Sequence, residues 1–385
     1  MIELLEFTCG RCEAVNRLKT ERILALQDSP KCGRCKEPLL RRLHEPLLNL
    51  PPSAYTHPLD REALARLQAV PGIKTFFKAI IKHSLEADMR LQHTANYLKV
   101  EEDQVPSLYR RFRTAADRLG ISPLPDLFIY QSPVLNAYTA GVERTFVAIS
   151  TGCLELLTEE EQISVLGHEL GHVHAQHMLY STASRVMAML AMTAAEVAFG
   201  VGTLFLKPVQ IALAQWSQAS ELTADRAQLL VVRKPEVVLR TLMKMAGASP
   251  SVMNELNIKA FIRQAESFEL MRDQNTWNKL LVMLQSLERS HPFSVYRAKE
   301  VLDFCVKGEF LEILDGDYTA APLVATAPCP RCGKPLAAGA FICAHCAYGT
   351  DDDDTGKGSD LGAKMDKGWE DARQWFKKTF MKEDA

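Results

Sequence analysis

The sequence predicts an α+β fold in which a mainly helical core with a small sheet is flanked by two small cysteine-rich modules. Three observations carry this reading. Eight of the ten cysteines stand in four CxxC pairs, two pairs near each end of the 385-residue chain. Between them, apolar residues recur at three and four spacing, as amphipathic helices require. Two short runs, Leu127-Phe128-Ile129-Tyr130 and Thr145-Phe146-Val147-Ala148-Ile149, are of strand type. With 47% hydrophobic and 24% charged residues the chain has ample apolar surface to fold. At about 150 residues per domain its length allows two or three units. The net charge of -2, from 45 basic and 47 acidic side chains, provides no general attraction to nucleic acid, which is not an expected partner.

In chain order, Cys9/Cys12 and Cys32/Cys35 come first, with 19 residues between the pairs. That spacing suits a four-thiolate zinc site, and Gly and Lys or Arg beside each pair suit tight knuckle turns. Residues 1–45 are therefore expected to form a zinc ribbon whose metal is structural. The start, Met1-Ile2-Glu3-Leu4-Leu5-Glu6-Phe7, lacks the basic and apolar regions of a secretory signal. A reducing, cytoplasmic setting is expected, where paired thiolates bind metal rather than each other.

The core, residues 46–320, opens with helices. Pro71 and Pro106 mark helix starts, Leu108, Phe112, Ala115 and Leu119 form an apolar face, and Gly120 is a stop signal. The two strand-like runs follow, with Asn136-Ala137-Tyr138 between them.

Thr158, with Glu161 three residues on, is a capping box, and Ile163, Leu166, Leu170 and Val173 make the inner stripe of the helix it begins. On this helix lies His168-Glu169-Leu170-Gly171-His172. Four residues turn about 400°, so the histidines project on one side from adjacent turns, as two imidazoles sharing a zinc ion must. Glu169 falls beside the metal, where its carboxylate can take a proton from water that the metal activates. The string alone also arises by chance in ordinary helices. On a continuing helix His174 and His177 would point roughly 240° and 180° from His168, and both are expected at the surface or in an outer shell.

About 50 residues on, Ser220-Glu221-Leu222-Thr223-Ala224-Asp225-Arg226 offers a third ligand, Glu221. Asp225, one turn later, can accept a hydrogen bond from the far nitrogen of a ligand histidine. By itself this string would read as a solvated acidic face.

These residues, with His57-Pro58-Leu59-Asp60, Val70-Pro71-Gly72, Asn136-Ala137-Tyr138, Val165-Leu166-Gly167 and His291-Pro292-Phe293, resemble the HtpX and CAAX prenyl protease type of gluzincin metallopeptidase, especially its soluble bacterial members. The resemblance covers roughly two thirds of the chain. It implies a zincin-type core and a zinc metalloendopeptidase acting on protein or peptide substrates, with protein quality control as a setting. The implied ligands of the catalytic zinc are His168, His172 and Glu221, and Glu169 is the implied base. It further implies that Asn136, Ala137 and Tyr138 lie on an edge strand that pairs with substrate, and that His291 and Arg297 steady the oxyanion.

Residues 186–206 contain one charged side chain, Glu196, among Ala, Gly, Thr and Met. They read as a buried helical pair, a peripheral membrane contact, or a span. Beyond residue 320, Cys329/Cys332 and Cys343/Cys346, with 10 residues between the pairs, are expected to hold a second structural zinc in a ribbon over 321–350, with His345 a bystander. Asp351 to Asp354 begin an acidic linker. Leu361, Met365, Trp369, Ala372, Trp375, Phe376 and Phe380 then share one face of a tail helix, which could dock on its own chain, a partner protein or a membrane surface. The ribbons and tail also allow a latent protease, or an adaptor that uses the protease fold to bind protein or nucleic acid.

Overall fold

The chain begins with a hairpin, β1 (Leu4–Thr8) against β2 (Val15–Lys19), followed by the short helix α1 (Thr20–Leu24). The computed structural model describes residues 4–69 (41, 42, 44, 46 and 48 apart), 73, 77, 85–184 (143 apart), 203–247, 251–275, 278 and 293–319. The CxxC pairs Cys9/Cys12 and Cys32/Cys35 close in the same way. Glu13 and Lys36, which follow the second cysteine of each pair, adopt φ of 57° and 63°. Their N–H groups donate to the carbonyls of Cys9 and Cys32 at 2.8 and 3.0 Å. The two knuckles face each other, with Cys9 Sγ 3.5 Å from Cys35 Sγ and Cys12 Sγ 3.7 Å from Cys32 Sγ.

The core follows as α2 (Pro58–Gln68), α3 (Leu85–Asn96), β3 (Leu98–Val100), α4 (Pro106–Leu119), β4 (Asp126–Tyr130), β5 (Ala137–Ala140), β6 (Phe146–Ser150), α5 (Thr151–Leu156), α6 (Glu159–His174), α7 (Thr203–Val232), α8 (Pro235–Gly247), α9 (Ile258–Asp273), α10 (Ser294–Val306) and α11 (Glu309–Asp315). The fold is thus α+β and mainly helical. Helix α4 has Pro106 in its first turn and ends at Gly120, whose φ of 68° is the left-handed conformation glycine adopts without strain. The face it buries includes Leu108, Phe112, Ala115 and Leu119.

The sheet has the order β3-β4-β6-β5, with β4 and β6 parallel and the other pairs antiparallel. Strand alternation sends Leu127, Ile129, Val147 and Ile149 into the main core. Phe128, Ala140, Phe146 and Ala148 make a second cluster on the other face, with Met89, Tyr97, Tyr130 and Tyr138 against it. Strand β5 pairs with β6 alone among the described residues, so it is an edge, and it runs beside α6.

Helices α6 and α7 pack closely at the centre. Two glycines permit this approach. A Cβ at Gly167 would lie 2.9 Å from the Val231 side chain, and one at Gly171 would lie 2.6 Å from Ala227 Cβ. Gln228 of α7 also donates to Ser164 of α6 at 2.7 Å.

The helical projection of His177 does not hold, while its expected place in an outer shell is met. Helix α6 stops at His174, and Gln176 turns the chain with φ of 58°. His177 therefore does not continue the helical projection and folds back beneath His172, while the His174 ring stacks on Tyr55 and Nδ1 lies 2.7 Å from the Tyr55 hydroxyl. His177 is buried and His174 half-buried. Burial holds the His174 pKa down at about 4. Among the described residues no helix is long and apolar enough to cross a membrane. His291, Cys329, Cys332, Cys343, Cys346, the tail and most of 186–206 lie outside the described residues.

Candidate active site

The helix that carries His168-Glu169-Leu170-Gly171-His172 starts at its capping box. Thr158 Oγ1 accepts from the Glu161 N–H at 3.3 Å, and the Glu161 carboxylate accepts from the Thr158 N–H at 2.8 Å. Lys244 of α8 holds the same carboxylate at 2.6 Å. The helix is thus set in phase, and the apolar stripe turns both histidines inward.

Helix α7 brings Glu221 between them. Its Oε2 lies 3.2 Å from His168 Nε2 and its Oε1 3.2 Å from His172 Nε2. All three side chains are buried, and their potential ligand atoms lie within 4.8 Å of one another. Burial disfavours charge on His168, but the carboxylates of Asp225 and Glu221 outweigh it and raise its pKa to about 9. For His172 burial prevails over Glu221 and its pKa falls. The carboxylates thus favour positive charge at this point, which a divalent ion can supply in place of a proton. Two imidazoles and one carboxylate are also the donor set of a zinc site that keeps a position open, so these residues fit that ion.

Each histidine is supported from behind. His168 Nδ1 lies 3.0 Å from Asp225 Oδ1. Arg297 of α10 clamps this aspartate with two hydrogen bonds, Nε to Oδ2 at 2.8 Å and Nη2 to Oδ1 at 2.6 Å. Burial would push the Asp225 carboxyl up, but the Arg297 guanidinium and the His168 ring hold it below the usual range. The Arg297 guanidinium thus stands behind His168, with Nη2 3.3 Å from His168 Nδ1, and its Nη1 lies 3.9 Å from Glu221 Oε2.

His172 Nδ1 lies 3.0 Å from His177 Nδ1, and His177 Nε2 lies 3.1 Å from Asp60 Oδ2. Burial raises the Asp60 pKa, yet the hydrogen bond from His177 brings it below the ordinary value. Glu169 is buried beside the pair, and Thr139 Oγ1 lies 2.7 Å from its Oε2 and 3.1 Å from its own main-chain carbonyl.

Ala137 and Tyr138 lie on edge strand β5, with Asn136 just before it. The Asn136 carbonyl accepts from Ser150 N–H at 2.9 Å, while Tyr138 reaches across the far sheet face to His93 Nε2 at 2.6 Å. Sequence reasoning named the strand but missed Thr139, although alternation from Tyr138 places it on the opposite face, toward α6. Asp60 and His177 were also missed as a pair, because one belongs to α2 and the other to a turn.

At the N-terminal module, Sγ atoms of Cys9, Cys12, Cys32 and Cys35 lie within 4.8 Å of one another, a second group that could hold an ion. Cys153 and Cys305 are buried elsewhere, with thiol pKa values pushed up by burial.

A plastoglobule-localized metallopeptidase 48, chloroplastic, from Arabidopsis thaliana is 34% identical over 285 residues, which cover 73% of this chain and 81% of that protein. Protease HtpX homologs from Burkholderia mallei and Burkholderia pseudomallei are 26% identical over 251 residues, covering 58% of this chain and 83% of theirs. Solved structures provide no match. The model of peptidase family M48 matches residues 102–304, a span that holds the histidine pair, Glu221, Asp225 and Arg297, and the chain belongs to that family.

Proposed function

We propose that the chain is a zinc-dependent metalloendopeptidase whose catalytic ion is held by His168, His172 and Glu221, with Glu169 as general base. The observation that most directly supports this is the approach of both Nε2 atoms to one carboxylate, each at 3.2 Å. When bound, zinc supplies Lewis-acid polarisation of water and of the scissile carbonyl. Glu169, held by Thr139, takes a proton from the attacking water on its carboxylate and passes it to the leaving nitrogen. Asp225 holds the Nδ1 proton of His168, so that Nε2 presents a lone pair. Arg297 keeps Asp225 charged and in place.

Strand β5 receives an extended protein or peptide segment as an added strand along Asn136, Ala137 and Tyr138. His291 is proposed as the oxyanion donor by resemblance. The cluster of Cys9, Cys12, Cys32 and Cys35 holds a structural zinc, and Cys329, Cys332, Cys343 and Cys346 hold another. Unfolded proteins are the substrate class, in keeping with quality control.

The test is Glu169→Gln in the full chain. The variant should fold and keep its zinc, yet lose about 100-fold or more of the chelator-sensitive cleavage of casein. Cleavage at the wild-type rate would overturn the mechanism.

A further inference from the structure

Behind His172 runs a chain of hydrogen bonds that has a single direction when both imidazoles are neutral. Thr223 Oγ1 accepts from the His57 N–H at 3.0 Å and lies 2.6 Å from Asp60 Oδ2, to which it donates its one proton. The same Oδ2 lies 3.1 Å from His177 Nε2. His57, Asp60, His172, His177 and Thr223 are all buried, so each of their polar hydrogens needs a partner within the protein. Asp60, as a carboxylate, accepts from His177 Nε2–H as well. A neutral imidazole that donates from Nε2 carries its lone pair on Nδ1. Since His177 Nδ1 faces His172 Nδ1 at 3.0 Å, His172 donates from Nδ1. Its own lone pair is then on Nε2, the nitrogen that faces Glu221 at 3.2 Å.

We propose that His177, anchored by Asp60, is a positioning residue that fixes His172 in the tautomer protonated at Nδ1, so that Nε2 is presented as a metal ligand. This inference rests on the zinc reading of His168, His172 and Glu221. The two ligand histidines are then supported by different means: Asp225 reaches His168 directly, whereas Asp60 on α2 acts on His172 through a second imidazole. The spacer is in place because α6 ends at His174 and Gln176 reverses the chain. Trp216 packs edge-on to the His177 ring, with centroids 5.6 Å apart at 88°, and limits its rotation.

The test compares zinc affinity, by chelator competition on the full chain, among wild type, His177→Phe and His177→Asn. A His168→Ala/His172→Ala double variant records the zinc held elsewhere. Phe keeps an aromatic ring against Trp216 but offers no acceptor, whereas Asn places Oδ1 where Nδ1 stood. The expected result is a loss of about 10- to 100-fold for Phe, and affinity within about threefold of wild type for Asn. A purely packing role would reverse that order and overturn the proposal, as would wild-type affinity in the Phe variant, and both results would leave the zinc reading intact. If wild type binds no more zinc than the double variant, the zinc reading itself fails and the proposal with it. Should the Phe variant not fold, ring nitrogen NMR of zinc-loaded wild type decides. A proton on His172 Nδ1 supports the proposal, and one on His172 Nε2 overturns it.

Discussion

Gly171 on α6 crosses Ala227 on α7 so closely that a methyl group at position 171 would lie 2.6 Å from the Ala227 Cβ and 3.2 Å from the Ala224 main chain. The glycine stands one residue before His172, and the helix it meets carries Glu221. The close crossing therefore sets the distance between the histidine pair and the carboxylate. Gly171→Ala should force the helices apart, costing about 1–3 kcal/mol in urea denaturation and weakening zinc binding. Adding Ala227→Gly should restore part of both losses, and a second change without effect on either would show that the helices do not repack around this contact.

Arg297 and Asp225 form a bidentate pair in which both partners are almost wholly buried, at 2% and 1% exposure. Removing the cation leaves the carboxylate in a low-dielectric site with only His168 to balance it. Arg297→Met should therefore cost about 3–5 kcal/mol. Arg297→Lys should recover only part of this, because an ammonium cannot reproduce the planar fork. Combining Arg297→Met with Asp225→Asn should cost less than the sum of the single changes, as read from denaturation midpoints. Strict additivity would mean that the two side chains do not act together.

The parts of this arrangement that depend on local sequence were legible in advance. The capping box and the apolar stripe set the phase of α6, and i, i+4 spacing put both histidines on one side of it and Glu221 with Asp225 on another helix. The knuckles were legible because each needs only a few consecutive residues. What could not be read depends on breaks and on distant partners. Gln176 takes a left-handed conformation without being glycine, so nothing marked the end of α6, and the helical projection misplaced His177. Arg297 lies 72 residues from Asp225, and only tertiary packing brings the two together. Strand β3 has only three residues and was not foreseen.

His57 begins α2 and ties it to α10. Its Nδ1 accepts from the Leu59 N–H at 3.2 Å, which leaves Nε2–H to donate to Glu300 Oε2 at 3.1 Å. Burial raises the Glu300 pKa, but this hydrogen bond outweighs it and brings the value below the ordinary one. A lowered carboxyl pKa stabilises the fold above the unfolded value of about 4.3, and that contribution is lost as pH falls through the folded value. Glu300→Gln should thus be less stable than wild type by about 1 kcal/mol at pH 6. The difference should shrink below about pH 4.3. Urea denaturation of both proteins at each pH checks this, and a constant difference down to pH 3 would contradict it.

Thr139 joins the edge strand to the catalytic helix. Its hydroxyl is 2.7 Å from the Glu169 side chain and 3.1 Å from the Glu169 carbonyl, while the next residue back on β5, Tyr138, faces the other side of the sheet. A substrate strand added along β5 would therefore be aligned by the same element that orients the base. Thr139→Val keeps the shape and removes the donor. Loss of a hydrogen bond to a charged group is worth about 1.5–3 kcal/mol, so kcat should fall about 10- to 100-fold. KM should change little, because the main-chain edge is untouched, and zinc content should hold, because no ligand is touched. A rise in KM at constant kcat would instead assign Thr139 to substrate binding and leave Glu169 positioned by α6 alone.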